Sequence, residues 1–309
     1  MRFPIQVFPT VPTFNFIGHR AVGFAITAAL LALTGWSLAT KGLNFGIDFT
    51  GGVVMEVRTK GEADVGKMRQ LLDVEGTSNA SLQSIDGGRE VLIRLKPEGE
   101  AKQSAVAQLV RERLDAGYGS TVEYLRVDYV GPQVGGELIR GSIIALAAAL
   151  GAMMLYLWFR FEWQFGVGGI LALLHDTVLA FGFYSLTQLE FNLTSVAAIL
   201  TIIGYSINDS VVIYDRVREN LRKFKVRPLS EVLNLSINET LARTFLTGGT
   251  VLCALIGLIG FGGDVLFGFS AAMAAGVVIG TFSSIYVSAT VLIYMDLRRE
   301  HLSQEVVKA

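Results

Sequence analysis

Apolar stretches long enough to cross a lipid bilayer recur along this chain, and that feature restricts its fold more than any other. With no water in the bilayer core, backbone N–H and C=O groups must be satisfied within the spanning segment, which takes about 20 apolar residues as helix. The runs are Ala21–Ala39, Leu138–Phe159, Gly166–Leu186, Leu193–Tyr214, Phe245–Gly260 and Val265–Tyr294. Six membrane helices are therefore predicted, and no single water-soluble core is implied. Ser37-Leu38-Ala39 has the small residues of a signal cleavage site. The run is nonetheless longer than a signal peptide's apolar region and follows a long Pro-containing tail, so it reads as an uncleaved helix.

Charge orients the helices. The short connections bring Arg160, the cluster from Arg216 to Arg227, and Arg298 and Arg299 to one side. The opposite connections, Gln188–Asn192 and Phe261–Asp264, contain no Lys or Arg. The basic side is then cytoplasmic, with both termini on it. The long Lys41–Glu137 segment carries both signs of charge, and long loops translocate largely regardless of charge, so it faces outward, into a periplasm. The expected division is a cytoplasmic tail over 1–20, helix one over 21–40 and a periplasmic domain over 41–137. Helices two to six follow over 138–295, with a basic cytoplasmic loop over 215–244, and a cytoplasmic tail covers 296–309.

Within the inserted segment, hydrophobic alternation and helical spacing predict strands at Val53–Thr59, Ser81–Ile85, Glu90–Leu95 and Thr121–Val130 and helices at Ala63–Leu72 and Lys102–Leu114. Asp86-Gly87-Gly88 marks a turn between the middle strands. The order βαββαβ is that of an α+β, ferredoxin-like unit with two helices on one face of a small sheet. The expected fold is thus an α-helical polytopic membrane protein carrying a periplasmic ferredoxin-like domain.

Charged side chains inside apolar spans are costly, so Asp209 and Asp176 are the first functional candidates. Asp209 lies in Gly204-Tyr205-Ser206-Ile207-Asn208-Asp209-Ser210, and Thr201, Tyr205 and Asn208 extend a polar stripe expected to face other helices. At about 1.5 Å per residue, Asp209 is roughly 9 Å inside the cytoplasmic end marked by Asp215 and Arg216. Arg243, at the start of the next span, has the reach to meet it. A carboxylate there, attended by a movable guanidinium or by water, suits proton loading and release. Two readings stay open: a relay, or an Asp209 that only hydrogen-bonds neighbouring polar groups beside an Arg243 that only anchors the helix end. Asp176, beside His175, is likewise either a relay group or a neutral helix-bonding carboxyl.

Gly46, Asp48, Gly51 and Gly52 form a glycine-rich joint where helix one meets the inserted domain, read as a turn or as a hinge. Lone Cys253 sits in an apolar run and reads as a packing residue. The sequence has no His/Cys cluster with metal spacing, Gly-rich phosphate loop or basic stripe with interleaved aromatics, so no metal, cofactor or nucleic acid is expected.

Gly46-Ile47-Asp48-Phe49-Thr50-Gly51-Gly52, the Asp209 segment running on to Tyr214-Asp215-Arg216-Val217-Arg218-Glu219-Asn220, His175-Asp176 and Asn238-Glu239-Thr240-Leu241-Ala242-Arg243-Thr244 together resemble the SecF family. The similarity covers essentially the whole chain, with Ser210 standing where Thr is commoner. It implies a non-enzymatic subunit of bacterial protein export in the inner membrane, related to the resistance-nodulation-division transporters. It also implies a SecD partner, association with the SecYEG channel and often YajC, contact with unfolded exported polypeptide and membrane lipid, and use of the proton gradient through Asp209 and Arg243.

Rival readings differ in class. A half-unit of a small-molecule or lipid exporter would share the scaffold, but the chain has a single insert and no second half. An intramembrane aspartyl protease would need Asp176 and Asp209 to share a proton, and the Gly-x-Gly-Asp pattern of such enzymes is missing around Asp209. A receptor sensing through its periplasmic domain would leave the intramembrane charges unexplained.

Overall fold

The structure, a computed structural model, describes residues 13–74, 77, 80–85, 89–95, 100–118, 122–295 and 297. The Asp86-Gly87-Gly88 turn and most of the two terminal tails lie outside the described residues. Among those described, six helices are long and apolar enough to cross a membrane. They are contained in α1 (Arg20–Thr40), α5 (Pro132–Arg160), α6 (Trp163–Thr187), α7 (Leu193–Lys223), α8 (Leu229–Phe261) and α9 (Gly263–Ser283), which runs on into a π-helical segment, Ser284–Ala289. The chain is a multi-pass membrane protein.

Between α1 and α5 the remaining elements follow in the order α2 (Ile47–Thr50), β1 (Gly52–Thr59), α3 (Val65–Leu72), β2 (Ser81–Ile85), β3 (Glu90–Leu95), α4 (Glu100–Tyr118) and β4 (Val122–Val130). All pairings are antiparallel in the spatial order β2-β3-β1-β4. Val53, Met55 and Val57 alternate onto one face of β1 and are fully buried. They join Val91 and Ile93 of β3, Met68 and Leu72 of α3, and Val110 and Leu114 of α4 in one cluster. Both helices therefore cover the same face, because a period of two in the strands puts these alternate apolar residues there. Asp64 caps α3 by accepting the Lys67 N–H at 2.9 Å.

Lipid is as apolar as leucine, so the membrane helices are held by small-residue packing and polar contacts rather than by a hydrophobic core alone. Gly182 of α6 lies against Thr34 of α1, Gly276 and Gly280 of α9 lie against Ile202 and Ser206 of α7, and the Ser37 and Ser185 hydroxyls meet at 2.8 Å. α6 is the buried centre; α5 and much of α8 present apolar side chains outward.

The basic loop expected over 215–244 is largely helical: α7 continues through Lys223 and α8 begins at Leu229, leaving 224–228 as the link. Hydropathy falls where the helices leave lipid, but helix propensity does not, and side chains lace the two extensions together. Arg216 donates to Glu239 at 2.6 Å and to Glu219 at 2.5 Å, while Asn220 donates to Glu239 at 2.6 Å and to Ser236 at 3.0 Å. The preceding tail docks beside this lacework. Asn238 both accepts from Phe14 N–H, at 2.9 Å, and donates to Phe14 C=O, at 2.8 Å, and Asn234 accepts from Ile17 N–H at 3.3 Å.

Candidate intramembrane polar site

Asp209 is 2% exposed on α7. Its Oδ2 meets no hydrogen-bond donor among the described residues. On the same side of α7 one turn earlier, Tyr205 places its hydroxyl against Gly248 of α8. Arg243, also on α8, is exposed and close enough to act on Asp209 electrostatically. The ion pair made feasible by its reach is not formed: no contact within 4.0 Å joins the two. A buried carboxyl with an exposed cation nearby is a costly arrangement in a membrane.

The expected polar stripe divides. Tyr205 and Asp209 face α8, whereas Thr201 and Asn208 are exposed at the surface of the chain instead of meeting its other helices. Successive polar positions spaced by three, four and seven residues drift around a helix of 3.6 residues per turn, so a stripe of this kind spans more than one interface. The Thr201 hydroxyl bonds back to Ala197 C=O at 2.7 Å.

Asp176 occupies a separate pocket of contacts and is 0% exposed. Its Oδ1 meets His175 Nδ1 at 2.8 Å. Its Oδ2 accepts hydrogen bonds from the hydroxyls of Ser206 on α7 and of Ser283 on α9, the latter at 2.7 Å. Ser206 and Ser283 were not singled out by the sequence; the available signal was a small hydroxyl inside an apolar run, one turn before Asp209 in the first case. Asp176 and Asp209 share no hydrogen bond.

The glycine joint is docked on the turn between α6 and α7. Gly51 and Gly52 have φ of +69° and +142°, which favours glycine, and a Cβ at Gly52 would also strike Leu95 C=O. Gly46 N–H donates to Phe191 C=O at 2.9 Å, and Phe191 N–H donates to Asn44 C=O at 2.8 Å. Asp48 Oδ2 accepts the Leu193 N–H at 3.0 Å, beside a capping box in which Asn192 and Ser195 exchange bonds. The first turn of the Asp209 helix is therefore held by the base of the inserted domain. Arg94 of β3 adds an ion pair to Glu190 in the same turn. Replacing a cap of this kind costs about 1 kcal/mol. Asp48→Ala is expected to lower thermal stability by that order and to raise hydrogen exchange at Leu193–Ser195, whereas Asp48→Asn, which keeps an acceptor oxygen, should lose less.

Comparisons with known proteins agree with this architecture. The family described as "Protein export membrane protein SecD/SecF, C-terminal" matches residues 110–298, and the "SecD/SecF GG Motif" matches residues 36–63, which include the docked joint. The protein translocase subunit SecF of Rickettsia bellii is 43% identical over 290 residues, covering 94% of this chain and 96% of that protein. SecF of Pseudomonas aeruginosa is 44% identical over 292 residues, covering 94% of each. The crystal structure of SecDF from Thermus thermophilus superimposes on 96% of this chain with a TM-score of 0.84 at 39% identity. This chain spans about 40% of the length of that one. SecDF in its super-membrane-facing form gives a TM-score of 0.72 over the whole chain, also at 39% identity. A chain matched by the export family over more than half its length, and by SecF proteins over 94% of it, belongs to the SecF family of Sec protein translocase subunits.

Proposed function

We propose that this chain is the SecF half of a proton-driven export motor that works with a SecD partner in late steps of preprotein translocation. Asp209 carries the reading: a buried carboxyl with an unbonded oxygen sits on the helix whose first turn is gripped by the inserted domain. Arg243 serves as its charge modulator, and Tyr205 supports the same face. A change in Asp209 protonation that tilts or shifts α7 acts on Asp48 and Phe191, and through them on β1 of the inserted domain. The role is mechanical rather than enzymatic.

The inserted domain is a ferredoxin-like unit in the periplasm that contacts unfolded exported polypeptide; its four-stranded antiparallel sheet with both helices on one face supports that assignment. Both termini lie in the cytoplasm of the bacterial inner membrane. In support, the tail at Phe14 and the basic ends of α5 and α7 gather at one end of the bundle, where Arg160 pairs with Asp215 at 2.7 Å. The exposed apolar face of α5, with Ile143, Ile144, Leu155 and Trp158, and the exposed Thr201 and Asn208 of α7 leave surface for lipid and for SecD. SecYEG, and YajC where present, complete the assembly. An exporter half-unit has no specific observation in its favour.

Affinity isolation of the tagged chain from native membranes in mild detergent is the decisive experiment. SecD and channel subunits are expected in the eluate, with a cysteine at Gly61 labelled only from the periplasmic side and one at Lys225 only from the cytoplasmic side. Recovery without SecD, or reversed labelling, overturns the assignment.

A further inference from the structure

The contacts of Asp176 are not used by the mechanism above, although its helix is the centre of the bundle. Three helices converge on one carboxyl: α6 supplies Asp176 and His175, α7 supplies Ser206 and α9 supplies Ser283. Both serines are themselves buried, and His175 Nε2 is a second buried polar atom with no hydrogen-bond partner among the described residues. Immediately after Ser283 the helix changes to the π form over Ser284–Ala289. A π turn inside a helix is rare and concentrates at functional positions. From it, Ser288 bonds the buried Tyr214 hydroxyl at 2.6 Å, and its backbone lies against Gly168 of α6.

We infer that Asp176 is a second proton-binding carboxyl, separate from Asp209, whose occupancy sets the contact between α7 and α9. The chemistry follows from counting hydrogens. An ionised Asp176 Oδ2 is an acceptor only and holds the hydroxyl hydrogens of both Ser206 and Ser283. On binding a proton it becomes a donor as well, so one serine must turn its hydrogen elsewhere. Ser283 has the alternative in place: its hydroxyl also reaches Gly280 C=O at 3.1 Å. The protonated carboxyl then donates to Ser283 Oγ, and Ser283 donates to Gly280. In both states the carboxyl Oδ2 and the two serine hydroxyls keep hydrogen-bond partners, so the exchange is a switch rather than a disruption.

Gly280 is one of two glycines on which α7 and α9 close. A Cβ there would lie 3.1 Å from the Ser206 Cβ, and one at Gly276 would overlap Ile202. Reorienting Ser283 toward Gly280 therefore acts within the close α7–α9 contact, one turn from Asp209 on α7. The titratable and charged groups around the switch are few. α6 adds His175 and Tyr184, α7 adds Tyr205, Asp209 and Tyr214, and α8 adds Arg243 behind Asp209. α9 and its π segment add only Tyr286 between Leu266 and Ala289, while the charges of α1 and α5, Arg20, Glu137, Arg140 and Arg160, sit near the helix ends. His175 is the immediate partner, with its Nδ1 2.8 Å from Asp176 Oδ1.

This inference rests on the proton-coupled reading above, and the test separates the two. The full chain, isolated with its native partners and reconstituted in vesicles, is titrated by difference infrared spectroscopy and assayed for proton flux. A pH-dependent carboxyl band is expected that is absent in Asp176→Asn, retained in Asp209→Asn, and shifted in midpoint by Ser283→Ala, which leaves the carboxyl intact. Flux should fall at least about tenfold in Asp176→Asn, with Ser283→Ala intermediate. No band assignable to Asp176, an unshifted midpoint in Ser283→Ala, or a band that answers to sodium rather than to pH overturns the inference. Wild-type flux in Asp176→Asn with loss in Asp209→Asn removes this site and leaves the proposed function; wild-type flux in both variants removes the proton-coupled reading itself.

Discussion

Asp209→Asn is expected to abolish gradient-dependent export while the protein still accumulates in the membrane. The amide matches the carboxyl in size and keeps an acceptor oxygen, but it cannot gain or lose a proton under these conditions. Asp209 is almost fully buried and has an oxygen without a hydrogen-bond donor among the described residues, so removing its charge relieves a cost rather than breaking a contact. Stability should be unchanged or slightly higher. Function should drop on the order of 100-fold, the scale on which a positioned proton-transfer group acts. Precursor processing in cells carrying only the variant, measured together with membrane abundance, checks both halves. Normal export by the amide variant would remove Asp209 from the mechanism; loss of export with equal loss of protein would make it a packing residue.

The membrane helices were legible because lipid imposes a long, uniform requirement on sequence, and the inserted domain because its strands alternate over short, well-bounded runs. Ser81–Ile85 and Glu90–Leu95 occupy the predicted residues without a shift. What hydropathy could not mark was the end of a helix that outlasts the membrane. Residues from Arg216 to Lys223 read as the start of a loop because they are charged, yet Glu219, Glu239 and Asn220 bind them into two antiparallel helical extensions.

The candidate site was legible residue by residue but not as a set of contacts. Asp209 and Asp176 stand out because a carboxyl in an apolar run needs a reason to be there. Their partners do not, since serine is common at helix contacts and Ser283 lies 107 positions from Asp176. The glycine joint shows the same limit. Positive φ at Gly51 and Gly52 is foreseeable from residue type, whereas the bond from Leu193 N–H to Asp48 joins elements 145 positions apart. Periodicity reports which face of an element is apolar; it carries no information on which distant backbone group a polar side chain will cap.

Arg243 is the second residue whose removal should have a large effect, and its geometry sets the form of the result. It is exposed and makes no hydrogen bond or ion pair with Asp209, so any action on the carboxyl is through space. Arg243→Ala removes the only basic side chain between Arg227 and Arg298 and should reduce export about tenfold or more. Arg243→Lys keeps the charge but loses the planar fork and some reach, so it should recover only part of the function. The informative measurement is the double variant. If the guanidinium works by setting the occupancy of Asp209, then once that position carries an amide, replacing Arg243 has nothing left to modulate, and export and proton flux should fall little below the Asp209→Asn level. Independent residues give losses that multiply instead. Multiplying losses would identify Arg243 as an anchor on α8, consistent with its exposure, and would move the search for the group that answers Asp209 to the surface that carries Thr201 and Asn208.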